Sequence, residues 1–148
     1  MRRFSVLMMS LALGWGLSVS AAGKSPTTDD LDKLMRKVGS AQQAMQKAIA
    51  AGNAADAKAQ LMIVKTSVRD AQGFWVATHR DDAVAMGKAV LDKLDGLEKL
   101  VAGPTIDTSA ANAAVRDLGT ACNACHRVYR TTDEENGFIL KPGTVPGY

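Results

Sequence analysis

Four stretches of this chain carry apolar residues at the spacing of an amphipathic helix, and short polar or glycine-containing links separate them. In the first stretch, Leu31, Leu34 and Val38 recur at intervals of three or four residues, the period of one helix face. No stretch shows a convincing strand pattern, and no internal repeat is present. We therefore predict an all-α fold, an antiparallel up-down-up-down four-helix bundle. The predicted helices cover about residues 28–51, 54–78, 82–102 and 108–130.

Capping residues mark the predicted helix starts. Asn53, followed by Asp56 three residues later, resembles a capping box for the second helix. Asp81-Asp82 is predicted to cap the third helix, and Thr108 or Ser109 is predicted to open the fourth. With links this short, neighbouring helices run in opposite directions.

The N-terminus has the pattern of a secretory signal peptide. Arg2 and Arg3 precede an apolar run over residues 4–19, and small residues follow. A charged region, an apolar region and small residues in this order predict export, with cleavage after Ala21 or Ala22. An uncleaved anchor is the alternative, but the run is slightly short of the ~20 apolar residues that a membrane span needs. We therefore predict no stable membrane span after cleavage.

Removal of this segment brings the net charge close to zero. The full chain holds 18 Lys and Arg residues against 15 Asp and Glu residues. Loss of Arg2 and Arg3 leaves a net charge of about +1. Lysines are spread along helix faces and aromatic residues make up 5% of the chain, so nothing predicts nucleic-acid binding. About 125 mature residues are enough for one domain with one core.

The most specific motif is Cys122-Asn123-Ala124-Cys125-His126, within the fourth predicted helix. On a helix, Cys122, Cys125 and His126 project from one face. C-x-x-C-H is the attachment pattern of a c-type haem, in which two thiols become thioethers and the histidine binds iron. We predict one covalent haem c on Cys122 and Cys125, with His126 as an axial iron ligand. Because such haem is attached after translocation, the motif and the signal peptide together predict a periplasmic protein.

Other uses of a cysteine pair fit the sequence less well. A zinc site usually needs four ligands, and here only Cys122, Cys125, His79 and His126 are available, at poor spacing. A thioredoxin-like pair lies at a strand-to-helix junction, which the sequence does not predict. A disulfide between positions i and i+3 of a helix is geometrically awkward.

The height of His126 in the predicted bundle limits where a second iron ligand lies. His126 lies roughly 7 Å from the end of the fourth helix, at 1.5 Å per residue. Met35 lies roughly 10 Å from the same end of the bundle. Met86, early in the third helix, and His79, in the turn before it, also qualify. A methionine on a helix is more often core than ligand, and His79 also fits a solvated turn.

The same height argument excludes two methionines and selects two aromatic residues. Met45 and Met62 lie roughly 15 Å or more further along the bundle, too far from the iron. Phe74 and Trp75 end the second predicted helix at the level of His126. We predict that both aromatic side chains pack against the haem.

From about residue 29 to residue 130, the chain resembles the class II cytochromes c, the cytochrome c′ family and its low-spin relatives. Residues 122–130 look like the family's C-x-x-C-H-x-x-aromatic-basic ending, and residues 35–39 look like the M-K-x-x-G stretch of low-spin members. The resemblance implies a four-helix bundle with haem on the last helix and Met35 as the distal ligand. Tyr129 and Arg130 are then predicted to pack at the haem. Family members often dimerise, so the resemblance is compatible with a homodimer.

The chain departs from this family in two places. Leu31 stands where the family often has an arginine, and residues 132–148 continue past the usual end. We predict three segments: the signal peptide at 1–22, the four-helix domain at 23–131 and an extended C-terminal tail at 132–148. The apolar residues Phe138 to Leu140 would dock near the haem end, or the terminus would be mobile.

These features predict an electron carrier rather than an enzyme. With His126 and Met35 bound, the iron has no open position, and a thioether ligand raises the reduction potential. The expected partners are periplasmic redox proteins. If Met35 only covers the distal side, a five-coordinate iron would bind NO or CO, as in cytochrome c′. Peroxidase chemistry would need a polar acid-base group, and only His79 is available for that role.

Overall fold

The computed structural model describes residues 25–135 and 137–146, and the predicted signal peptide at 1–22 lies outside the described residues. Four helices make up most of the described chain, as predicted, and they are compatible with a four-helix bundle. Each helix boundary lies within two residues of the predicted one. The helices are α1 (Thr28–Ala50), α2 (Ala54–Ala77), α3 (Asp81–Leu100) and α4 (Thr108–Tyr129).

Side-chain caps explain why three of the helices begin where they do. At α1, the Thr27 hydroxyl accepts a bond from the Asp30 N–H at 3.2 Å, and the Asp30 carboxylate accepts one from the Thr27 N–H at 2.9 Å. Asn53 and Asp107 each accept a bond from the backbone N–H three residues on, at 3.1 and 3.0 Å. These bonds satisfy donors that the first turn of a helix leaves unpaired.

The predicted Asp81-Asp82 cap of α3 is wrong. The N-cap position belongs to Arg80, which makes no side-chain capping bond. Asp81 and Asp82 lie inside the first turn of α3, where their negative charge still favours the helix N-terminus. The Asp82 carboxylate binds Tyr129 of α4 instead, and that contact takes it away from the cap.

Two helices end in the same reversed turn. After α1, Gly52 takes a left-handed φ of 68°, which lets the Asn53 N–H reach a carbonyl five residues back at 2.9 Å. After α2, His79 takes the equivalent position with φ 56°, and the Arg80 N–H donates to the Trp75 carbonyl at 2.9 Å. The His79 side chain is exposed. This turn therefore places the Arg80 backbone against the last turn of α2.

The helices pack mainly on their neighbours in sequence. Contacts join α1 to α2, α2 to α3 and α3 to α4, whereas α1 and α4 approach each other over a much shorter stretch. Most buried apolar side chains belong to one group, here called the central cluster, which draws on all four helices. It contains Val38, Ala41, Met45, Ala48, Ile49, Ala57, Leu61, Val64, Val68, Val90, Leu94, Leu97, Val101, Ala111, Val115 and Leu118.

A second, smaller group of buried side chains is here called the terminal cluster. It combines residues near the start of α1 and α3 with residues near the end of α2 and α4, and it includes one residue from the C-terminal segment. Its members are Leu31, Ala71, Phe74, Trp75, Ala83, Tyr129 and Val145.

A buried lysine joins α2 to α3 outside both clusters. The Lys65 ammonium lies 2.5 Å from a carboxylate oxygen of Asp95 and 2.5 Å from one of Glu98. The Lys65 side chain is 10% exposed, while both carboxylates reach solvent more fully. Its hydrogen bonds to Asp95 and Glu98 raise the pKa of Lys65 despite the opposing effect of burial. The ammonium therefore stays charged and paired, as a buried charge must.

The prediction that the chain contains no strand is wrong. Strands β1 (Arg130–Asp133) and β2 (Gly137–Leu140) form an antiparallel hairpin directly after α4. The Asp133 carboxylate accepts the Glu135 N–H at 3.0 Å, and Gly137 takes φ 74°, features of a tight turn. Four-residue strands are too short for an alternation pattern to emerge. The segment predicted as an extended tail therefore begins with two strands that pair with each other.

Within the described residues, no helix combines the length and the apolar character that a membrane crossing requires.

The central cluster predicts a stability test. Met45 is fully buried there, so Met45→Ala leaves a cavity and should lower the free energy of unfolding by about 2–4 kcal/mol. Met62 is exposed on α2, and Met62→Ala should change it by less than about 0.5 kcal/mol. Denaturant unfolding of the two variants measures both values. Equal effects would contradict the described core.

Candidate functional site

Helix α4 carries all three residues of the predicted attachment motif. Cys122, Cys125 and His126 are each half-buried, and both cysteines are free thiols. Their positions at i, i+3 and i+4 put them on one helix face. A helix that continues to Tyr129 therefore presents two thiols and one imidazole on the same side.

Helix α1 brings Met35 to the same two clusters as the cysteines. Met35 is half-buried and packs against both the central and the terminal cluster. Cys122 packs against the central cluster and Cys125 against the terminal one. Met35 is therefore the residue that packs against both clusters that the two cysteines contact.

The other candidate ligands differ in their surroundings. Met86 of α3 also packs against the terminal cluster, so it remains a candidate. His79 is exposed in the turn before α3. Met45 belongs to the central cluster alone, and Met62 is exposed.

The predicted aromatic residues lie together in the terminal cluster. The Phe74 and Trp75 rings meet edge to face with centroids 5.0 Å apart, and the Trp75 and Tyr129 rings lie 4.8 Å apart. All three side chains are buried. Aromatic pairs in this range stabilise a core beyond their buried area. The cluster that contacts Cys125 therefore has a rigid aromatic wall contributed by α2 and α4.

A polar network that the sequence did not predict fastens the end of α4. The Tyr129 hydroxyl donates to an Asp82 carboxylate oxygen at 2.5 Å and accepts two bonds from the Arg80 guanidinium, at 2.9 and 2.7 Å. Arg80 also pairs with Asp82 at 3.3 Å. Nearly fifty residues separate the turn from Tyr129 along the chain, and no local pattern links them. The network joins the turn between α2 and α3 to the helix that carries the motif.

Arg130 lies outside the terminal cluster. It begins β1, its side chain is exposed, and its guanidinium lies 4.3 Å from the Phe138 ring centroid. Such a cation–π contact stabilises the hairpin. Its charge also contributes to a lowered pKa of His126. The structure thus brings Phe74, Trp75 and Tyr129 into one buried group, and it leaves Arg130 at the surface beside that group.

Burial sets the protonation of the motif. Burial, followed by the charge of Arg130, lowers the pKa of His126, so the imidazole is neutral, the form that binds a metal. Burial raises the pKa of the Cys122 thiol. Burial first, and then Cys122 and Asp82, raise the pKa of Cys125 to about 11. Both sulfurs are therefore uncharged at neutral pH.

These residues fit a covalently attached haem. Such a group needs two free thiols and a neutral imidazole on one helix face, an apolar wall and room beside the helix. Cys122, Cys125 and His126 supply the first two requirements, and the aromatic residues of the terminal cluster supply the third. Of the four helix pairs in substantial contact, α1 and α4, which carry Met35 and the motif, contact each other least.

The described part of the chain contains no cluster of side chains that would hold a metal ion by itself. Among residues 25–135 and 137–146, no group of three or more His, Cys, Asp or Glu side chains is arranged to hold a metal ion. Comparison with known proteins found no matching family model, no matching curated protein and no matching solved structure.

The Tyr129 network predicts a pH-dependent stability effect. Tyr129→Phe removes the hydroxyl and should lower the free energy of unfolding by about 1–2 kcal/mol at pH 7. Tyr129 lowers the pKa of Asp82, and burial and Asp82 raise the pKa of Tyr129. The wild-type advantage should therefore shrink as pH falls below about 4 and as it rises above about 10.

Denaturant unfolding of both proteins across this pH range checks the effect. Asp81→Asn is the matched control, because Asp81 is an exposed residue of the same helical turn with no part in the Tyr129 bonds. It should leave the pH dependence almost unchanged. A constant difference between wild type and Tyr129→Phe at all pH values would contradict the network.

Proposed function

We propose that this protein is a periplasmic monohaem cytochrome of the c type that carries single electrons. In this proposal Cys122 and Cys125 hold the haem by thioethers, and His126 and Met35 bind its iron. The observation that carries the proposal is that Met35 and Cys125 both pack against the terminal cluster, although they lie on the first and last helices. His126 follows Cys125 directly in the sequence, and the two ligands of one iron must lie on elements that come close together.

The make-up of the terminal cluster supports an antiparallel up-down-up-down arrangement. Residues near the starts of α1 and α3 share it with residues near the ends of α2 and α4. Helices that alternate in direction bring starts and ends together in this way. Met35, near the start of α1, and His126, near the end of α4, then lie at similar heights in the bundle.

The bound haem would supply an iron that changes oxidation state by one electron. The chain's own residues set the conditions for that change. His126 offers a neutral imidazole, and Met35 offers a neutral thioether, which favours the reduced state. Phe74, Trp75 and Tyr129 exclude water from the terminal cluster. A dry and rigid environment limits the rearrangement that accompanies gain or loss of charge.

Covalent attachment is the first test. The full chain, expressed with its export signal in a host that makes c-type cytochromes, should retain haem after denaturation and removal of free haem. Cys122→Ala leaves one thiol of the pair, and Cys122→Ala with Cys125→Ala leaves none. Intact mass should report one attached haem in the wild type and none in the double variant. A wild-type chain of unmodified mass would contradict the proposal.

The sixth ligand gives the second test. The ferric wild type should have a low-spin absorption spectrum, and Met35→Ala should convert it to a high-spin one because a ligand is lost. Met45→Ala is the matched control: it removes a more deeply buried methionine of the same helix and should keep the low-spin spectrum.

Two other results would identify different sites. If Met86→Ala rather than Met35→Ala changes the spin state, the ligand comes from α3. A high-spin wild type that binds CO or NO would instead identify a five-coordinate gas-binding protein.

A further inference from the structure

The segment that follows α4 has no role in the electron-carrier proposal, yet part of it lies in the candidate site. We propose that Val145 is a positioning residue of the redox centre: it closes the terminal cluster, against which Met35 packs, and so keeps the Met35 thioether on the iron. This inference rests on the proposed function. In this role, the C-terminal segment excludes competing small ligands from the iron.

The burial of this segment is selective. Val145 is 2% exposed and is a full member of the terminal cluster, and Leu140 packs partly buried against it. Phe138, at the far side of the hairpin, is 59% exposed. The sequence left open whether Phe138 to Leu140 dock or the terminus is mobile. Of these residues Leu140 packs against the cluster and Phe138 does not, and the fully buried residue of the segment is Val145, in a stretch rich in glycine and proline.

Backbone bonds hold the segment in this position. The Lys141 N–H donates to the Tyr129 carbonyl at 2.7 Å, which ties the end of β2 to the end of α4. The Thr144 hydroxyl donates to the Lys141 carbonyl at 2.6 Å, and Gly143 takes φ 76° in the turn between them. This turn reverses the chain and brings Val145 back onto the cluster. Tyr129 thus anchors the segment through its backbone while its side chain binds the turn before α3.

The position of Val145 explains how it acts on Met35. Leu31, one helical turn before Met35, shares the terminal cluster with Val145, and Met35 packs against that cluster. Removing the Val145 side chain opens a cavity in the cluster against which Met35 packs. A thioether is a neutral ligand, so its hold on a metal depends on packing that prevents its departure. An opened wall admits water or a small ligand to the position that Met35 leaves.

The test compares two identical substitutions in the haem-loaded, full-length protein. Val145→Ala removes two carbon atoms from the terminal cluster. Val101→Ala removes the same atoms from a side chain that is also 2% exposed, in the central cluster. Both should lower the midpoint of denaturant unfolding by similar amounts. Two measurements then distinguish the effects of the two variants on the iron. The first is the rate of CO association with the ferrous protein, measured by stopped flow, and the second is the reduction potential.

Val145→Ala should bind CO about tenfold faster than the wild type, and its reduction potential should fall because Met35 is more often absent. Val101→Ala should match the wild type in both measurements. Val145→Ile, which keeps a large apolar side chain at this position, should bind CO as slowly as the wild type. If Val145→Ala lowers overall stability too far to purify, Val145→Thr replaces a buried methyl group with a hydroxyl, which weakens docking of the segment and should change CO binding in the same direction.

Two results would overturn the inference in distinguishable ways. If Val145→Ala and Val145→Thr both bind CO as slowly as Val101→Ala, in a low-spin wild type whose spectrum depends on Met35, the function stands and the role of Val145 is wrong. If the wild type already binds CO as fast as Met35→Ala, Met35 does not hold the sixth position, and both proposals fall.

Discussion

The arrangement of the terminal cluster depends on the buried residue Tyr129. Its ring packs against Trp75, its hydroxyl binds Asp82 and Arg80, and its carbonyl binds Lys141. One residue at the end of α4 thereby connects α2, the turn before α3 and the C-terminal segment. Because Tyr129 lies one turn beyond Cys125 and His126, the same contacts fix the orientation of the motif. A haem ligand needs this kind of support, since ligand geometry is set by the groups around it.

The helical part of the fold could be predicted from sequence because its signals are local. Apolar residues such as Leu61 and Val68 recur at the helical period, and Asn53 marks a helix start by a bond to a residue three positions on. Helix length alone put Phe74 and Trp75 at the level of the motif, and both belong to the cluster against which Cys125 packs. In each case the information lies within one helix or one short link.

The remaining features depend on residues that are far apart in the chain. Asp82 looked like a helix cap, but it binds Tyr129 instead, and nothing near Asp82 indicates that partner. The hairpin strands are four residues long, too short to show a period. Val145 lies among glycine and proline residues that usually indicate a solvated terminus. Its burial depends on a turn and on a cluster that forms only when all four helices are in place.

The sparse contact between α1 and α4 has a consequence for the order of assembly. Every extensive helix interface joins consecutive helices, so the chain has mostly local contacts, and topologies of this kind fold fast. The interface between α1 and α4, here called the α1–α4 seam, joins the most distant parts of the helical sequence. It also has the fewest contacts to stabilise it. This favours its closing last as the chain folds. If haem is attached as proposed, Cys122 and Cys125 stay accessible for attachment until this seam closes.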